Sequence, residues 1–329
     1  MIQDWGQIKQ PRLVAQNMLA RFADLPIIDC GPIANGQGHL RAIFGMTTTE
    51  SSFKSILGLG MLLLAHEQGH LKPGQPVIES TSGSFGLALA LAGKILGNPI
   101  ELVTDPNIPT LTQRKIELLD AQLHLITTPH PTGGTQQARD TLRQHHMQQR
   151  PGMYWPNQND NPLNPTTYRR WLIPTITPKL DLDWIDAAIF VVGTGGHFVA
   201  LAELLHTHNI PTYVADRTGS ITFGGTPAPS TLRGIGNQNT IPNIIGTHLH
   251  LVEDVTYFTD TDAAHGVQQL ARRGIYAGGS SGIAYMGANH LATHTKARNI
   301  LTFFPDRGDL YGNQFLSTPQ NTRLERAAS

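Results

Sequence analysis

The stretch AAIFVVGTGGHFVALAELLH, residues 187–206, carries the reading of the whole chain in miniature. Its first part is a short apolar run suited to a buried strand, its middle is a glycine-rich turn, and its last part is a helix-like sequence. A strand passing through a tight turn straight into a helix is the unit of a parallel α/β sheet. The free backbone N–H groups at the start of such a helix suit a phosphate. The turn half-matches a dinucleotide fingerprint, with Asp216 at the end of the next strand-like run. Phe198, however, stands where that fingerprint needs its third glycine.

Similar strand-like runs recur on either side: PIIDC (26–30), LRAIF (40–44), PVIES (76–80), IELVTD (100–105), LHLIT (123–127), PTYVAD (211–216), LHLVE (249–253) and NILTFF (299–304). Helical stretches alternate with them, which predicts an α/β protein whose sheets are open and mostly parallel, covered by helices on both faces. Residues 151–166, PGMYWPNQNDNPLNPT, are rich in proline and asparagine and read as a crossing between two domains. The expected division is a smaller α/β domain at 45–155 and a larger one made of 1–44 plus 156–329. The last ten residues read as a loose tail.

The chain of 329 residues has 24 Lys plus Arg against 24 Asp plus Glu, so no charge excess points to nucleic acid. A small-molecule substrate is expected. Cys30 is the only cysteine, which rules out an intrachain disulfide and fits a buried structural thiol. The first ten residues lack the charged and apolar regions of a signal peptide. The longest apolar run, Ile56 to Ala65, is too short for a bilayer, which takes about 20 residues. A cytoplasmic protein without a membrane partner is expected.

In open α/β sheets ligands bind beyond the carboxyl ends of strands, and three further loops there stand out. TSGSFG (81–86) follows PVIES and precedes a helix, a pocket for a carboxylate or phosphate. AGGSSG (277–282) and PDRGDLY (305–311) follow later strand and helix ends. HEQGH (66–70) fits a zinc-peptidase signature, but Gly69 reads as a helix cap that leaves His70 off the helix, so no metal site is expected.

The run SSFKSILGLGMLLL (51–64) puts one charge, Lys54, at the head of an apolar helix. With Ser51 or Ser52 as cap, Lys54 lies in the first turn, where the helix dipole opposes a cation and lowers its pKa. A solvated surface lysine is one account of it; a Schiff-base lysine is the other. A lysine, a phosphate cup and a serine-bearing turn are together the parts that hold pyridoxal phosphate.

With these residues in view, the chain resembles the fold-type II pyridoxal-phosphate enzymes, the cysteine synthase and cystathionine β-synthase superfamily, from about residue 22 to 316. The order of Lys54, TSGSFG, GTGG and GGSSG carries that resemblance. ESTSG (79–83), HPTGG (130–134), YWPNQ (154–158), GSITFGGTP (219–227) and RGIG (233–236) narrow it to the branch that makes 2,3-diaminopropionate precursors for siderophores. The resemblance implies the tryptophan synthase β-like fold, with pyridoxal 5'-phosphate in the cleft between two domains, and a homodimer.

By the same resemblance Lys54 is the Schiff-base lysine and the catalytic base. Gly193, Thr194, Gly195, Gly196 and His197 surround the cofactor phosphate, Ser84 lies by its phenolic oxygen and Ser280 meets its ring nitrogen. Thr81, Ser82, Gly83 and Gln158 receive the substrate carboxylate, Gly234 borders the site, and Arg139 grips the phosphate of O-phospho-L-serine. The implied activity is β-replacement through an aminoacrylate, with an amine such as L-glutamate adding at Cβ. Cysteine synthesis, β-elimination and a non-catalytic binding role stand as alternatives. The chain departs from the family in having Ser84 for an asparagine, Ser55 and Ile56 after the lysine for aspartate and arginine, and His197 for a threonine.

Overall fold

The computed structural model describes residues 8–311 except Ser82. The first seven residues and the expected tail at the C-terminus lie outside the described residues. After α1 (Pro11–Phe22) come the strands β1 (Ile27–Ile33) and β2 (Gly38–Phe44), then α2 (Lys54–Glu67). Three strand and helix pairs follow: β3 (Val77–Ser80) with α3 (Ser84–Leu96), β4 (Ile100–Thr104) with α4 (Thr110–Leu118), and β5 (Gln122–Leu125) with α5 (Gly134–Gln149). The short helices α6 (Leu163–Thr167) and α7 (Ile173–Ile176) lead to β6 (Ala187–Phe190) and α8 (Gly196–His206). There follow β7 (Thr212–Arg217), α9 (Asn243–Gly246), β8 (Val255–Phe258), α10 (Asp260–Ala271), α11 (Gly279–His294) and β9 (Asn299–Phe304).

Two sheets result, one of six strands in the order β1-β2-β9-β6-β7-β8 and one of three in the order β3-β4-β5. All pairings are parallel except β1 with β2. The three-stranded sheet falls within residues 45–155, and the strands of the other fall outside them.

Two local expectations need correction. PIIDC is not a buried strand but the antiparallel edge strand β1, of which only Cys30 and Ile33 are buried. LHLVE is not a strand: Leu249–Leu251 is a 3₁₀ turn and the strand begins at Val255. Of its apolar residues only Leu251 is buried in the core, while Leu249 is half exposed. Cys30 is a structural thiol, pushed up to about 12 chiefly by burial and next by the Asp29 carboxylate.

The apolar run after Lys54 explains the core. α2 is buried from Ser55 to His66, and its glycines set its distance from its neighbours. A Cβ at Gly58 would lie 2.7 Å from the backbone carbon of Ala88 on α3, and one at Gly60 would lie 2.3 Å from the Thr167 side chain. The glycines that interrupt the run therefore let α3 and α6 pack against it at close range. α2 is thus fixed from several sides, and with it the position of Lys54. Among the described residues no helix is long and apolar enough to cross a membrane.

Candidate active site

Lys54 is the first residue of α2, preceded by Phe53 in helical conformation, and its backbone N–H is accepted by Ser52 Oγ at 3.2 Å. Its ammonium lies 5.1 Å from the Phe53 ring centre and 5.9 Å from that of Phe85, in the TSGSFG turn. On the other side it reaches Thr194 Oγ1, in the GTGG loop, at 3.5 Å. One amine therefore stands between two glycine-rich helix starts that are far apart in sequence. Burial lowers it from 10.5 to about 8, against an opposing pull from Asp306. About a tenth is then the free amine at pH 7, far more than for an ordinary lysine, as a nucleophile or base requires.

The GTGG loop ends in Gly195, left-handed at φ 88°, which caps α8 without a side chain. The N–H groups of that first turn are thus open to an anion. The loop is also sterically tight: a Cβ at Gly193 would lie 2.5 Å from the Gly234 carbonyl, and one at Gly195 2.7 Å from Ile245 Cγ1. The His197 side chain turns away into the core, 5% exposed, with its ring centre 4.8 Å from Phe53 and 5.1 Å from Phe303. Burial and the nearby Lys54 charge take it down to about 3, so it is neutral. What His197 can offer an anion is its backbone N–H.

At the other helix start Thr81 Oγ1 accepts from Gly83 N at 3.3 Å and Gly86 N at 3.2 Å. Those two bonds use the lone pairs of the hydroxyl and leave its proton, alongside the first-turn N–H groups of Ser84 and Phe85, to meet a carboxylate. Ser82 lies outside the described residues. Gly83, with φ 151°, makes the turn itself.

Gln158 is brought to this side by Glu79, a carboxyl 3% exposed at the end of β3. Glu79 Oε1 accepts from Trp155 Nε1 at 3.0 Å and from Ser80 N at 2.9 Å, and the Gln158 backbone N–H also faces it. Burial raises this carboxyl from 4.5 to about 7.

Ser280, in the first turn of α11, is 3% exposed; its Oγ makes no hydrogen bond of normal length and faces the Tyr311 hydroxyl. Tyr311 in turn donates to Asp306 Oδ2 at 2.8 Å. Asp306 bridges back to Ser52, beside Lys54, and burial raises its carboxyl. The loops after β6, β9 and α10 thereby surround Lys54. Ser55, in place of the usual aspartate, donates to Ser52 O at 2.9 Å and reaches Thr48 Oγ1 at 3.1 Å, tying down the segment before α2.

Arg139, on α5, is ion-paired with Asp105, and both are largely buried. Arg233, beside Gly234, donates to the Asn107 carbonyl, so the RGIG loop is joined to the loop after β4. Sequence reasoning missed Glu79, Trp155, Asn164 and Asp306 as site supports. Each sits inside a quoted motif or the Pro/Asn-rich segment, but its partner is distant in sequence.

HEQGH is split as expected: His66 lies on α2, with Nε2 2.6 Å from Asn98 Oδ1, and exposed His70 lies beyond its end. Among the described residues Glu101, His124 and His146 form the one group of three metal-capable side chains. Arg150 already holds both Glu101 oxygens at 2.6 Å, so the cation at that point is a guanidinium. Asp216 is fully buried against Gly236, not open to a ribose.

A lysine amine of lowered pKa, two helix starts without side-chain caps and the buried Ser280 hydroxyl fit pyridoxal phosphate. Residues 47–306 match the model of the family described as pyridoxal-phosphate dependent enzyme, and the chain belongs to that family. It is an enzyme of the cysteine-synthase-like β-replacement class, with pyridoxal 5'-phosphate as cofactor.

Among relatives, N-(2-amino-2-carboxyethyl)-L-glutamate synthase of Ralstonia nicotianae is 28% identical over 91% of this chain and 89% of its own. A cysteine synthase of Staphylococcus aureus is 29% identical over 82% and 84%. Among solved structures, O-ureido-L-serine synthase superposes with a TM-score of 0.82 at 21% identity, covering 95% of this chain and 98% of that one. The O-acetylserine dependent cystathionine β-synthase of Helicobacter pylori gives 0.80 at 24%, covering 90% and 96%. The last two likenesses establish the fold, which is that of the fold-type II enzymes.

Proposed function

We propose that the chain joins an activated serine, best read as O-phospho-L-serine, to an amine such as L-glutamate, yielding a 2,3-diaminopropionate-type amino acid. The observation that carries the reading is the place of Lys54 between the two helix starts, one for a carboxylate and one for a phosphate. The nucleophile is argued from the Ralstonia relative, which aligns along nearly all of both chains.

When bound, pyridoxal phosphate supplies an aldehyde for an amine and a conjugated ring that accepts the electron pair left at Cα. The GTGG backbone would hold its phosphate, Ser84 would lie by its phenolic oxygen and the neutral Ser280 hydroxyl would face its ring nitrogen. Thr81, Ser82, Gly83 and Gln158 would orient the substrate carboxylate. Lys54 Nζ would take the Cα proton. Arg139 would serve the leaving phosphate, with Gly234 at the border of the site.

The reading treats 45–155 and 1–44 plus 156–329 as the two domains that enclose the substrate, in a cytoplasmic homodimer. Light scattering tests the dimer.

A second reading, cysteine synthesis from sulfide, is favoured by the pairing of Arg139 with Asp105, which already compensates the charge a phosphate ester would use. Product analysis decides between them. Purified protein given O-phosphoserine should change its visible spectrum, and added glutamate should yield the amine adduct by mass. Cysteine from O-acetylserine and sulfide, with no adduct, would move the assignment to the second reading. Release of pyruvate alone would mark a lyase, and a spectrum indifferent to every amino acid a binding protein.

A further inference from the structure

We propose that Asn164 is a positioning residue that turns the Thr194 hydroxyl proton toward the cofactor phosphate and ties Gln158 to the same loop. Asn164 lies on α6 in the segment NPLNP and is 0% exposed. Its Nδ2 is 2.7 Å from the Gln158 carbonyl and 3.1 Å from Thr194 Oγ1. A carbonyl only accepts, so the amide atom facing Gln158 is the nitrogen, and its two protons serve these two oxygens.

Thr194 Oγ1 then accepts from Asn164, a bond that does not depend on Lys54, whose Nζ the cofactor aldehyde would engage. With that lone pair engaged, the hydroxyl proton is directed away from Asn164, toward the GTGG turn. That proton is what a threonine in a phosphate cup has to offer.

The arrangement has an energetic cost. Asn164 Oδ1 is buried without a partner and lies where a Cβ on Gly196 would stand, only 1.8 Å away. An apolar side chain would fill the same space without an unpaired carbonyl. An asparagine at this point is therefore explained by what its two protons do. The inference rests on the cofactor and is independent of which nucleophile the enzyme uses.

The test compares apo-protein affinity for pyridoxal phosphate and for pyridoxal, which lacks the phosphate, by absorbance titration. Asn164→Ala should weaken pyridoxal phosphate about ten-fold or more, the effect of losing a hydrogen bond to a charged group, and leave pyridoxal within about two-fold. In a Thr194→Val background the same change should have less than about two-fold further effect. Should Asn164→Ala fail to fold, the similarly sized and uncharged Asn164→Leu, which has no amide protons, should lower the same ratio. An equal loss for both ligands, an unchanged ratio, or full multiplication of the two single effects would overturn the proposal.

Discussion

Arg139 on α5 is ion-paired with Asp105 at the end of β4, and burial leaves both groups dependent on the pair. Removing one partner strands the other charge. Arg139→Ala should therefore lose on the order of 3 kcal/mol of stability by thermal unfolding, and Arg139→Ala with Asp105→Ala should recover part of it. If the guanidinium also serves a leaving phosphate, the preference for O-phosphoserine over O-acetylserine should fall roughly 10- to 150-fold in the single variant, the loss of one charge-assisted bond. An unchanged ratio of specificity constants would make Arg139 purely structural.

Glu79 should make stability fall as pH rises. Its folded carboxyl titrates near 7 instead of 4.5, so between those values the folded state holds the extra proton and loses stability as the proton leaves. Glu79→Gln keeps an acceptor for Trp155 and Ser80 and carries no charge. It should match the parent at pH 5 and exceed it at pH 8 by on the order of 2 kcal/mol, read as a pH-dependent difference in Tm. A difference independent of pH would refute the assignment.

His197 should act in the opposite sense. Its folded value near 3 lies below the ordinary 6.5, so the unfolded chain binds a proton that the folded chain refuses, and stability falls as pH drops through that window. His197→Phe suits the aromatic surroundings and should reduce this acid loss, up to about 1.4 kcal/mol per pH unit below 6.5. Tm measured from pH 4 to 8 for parent and variant checks it.

Capture of pyridoxal phosphate by the apo-protein should report the Lys54 amine. The rate should climb with pH and level off near 8, whereas an ordinary lysine would keep climbing toward 10.5. Stopped-flow absorbance gives the profile. Borohydride reduction and peptide mapping should put the label on Lys54, and a label on Lys72, Lys94 or Lys115 would exclude it.

The alternation of strand-like and helix-like runs, the glycine turns at 81–86, 193–197 and 277–282 and the place of Lys54 were legible in the sequence because each is a local property. Apolar periodicity sets an element, and a glycine turn sets where it stops. Two misreadings mark the limit. The run at 249–253 has strand composition but forms a turn that buries only Leu251, and PIIDC pairs only at a sheet edge; burial and pairing depend on partners a local pattern does not contain.

The tertiary structure alone decided the supports of the site. Glu79 meets Trp155, Asn164 meets Thr194, Arg139 meets Asp105, and Ser52 meets Asp306 across stretches of chain with no common motif. The same holds for charge. Lys54 reads in sequence as a lysine at a helix start, but its lowered pKa is set mainly by burial, as is the neutrality of His197. Residue type and local spacing determined which groups this chain possesses. Desolvation and long-range hydrogen bonds, which exist only once the sheets and helices have packed, decided which of them are charged, paired or left to act.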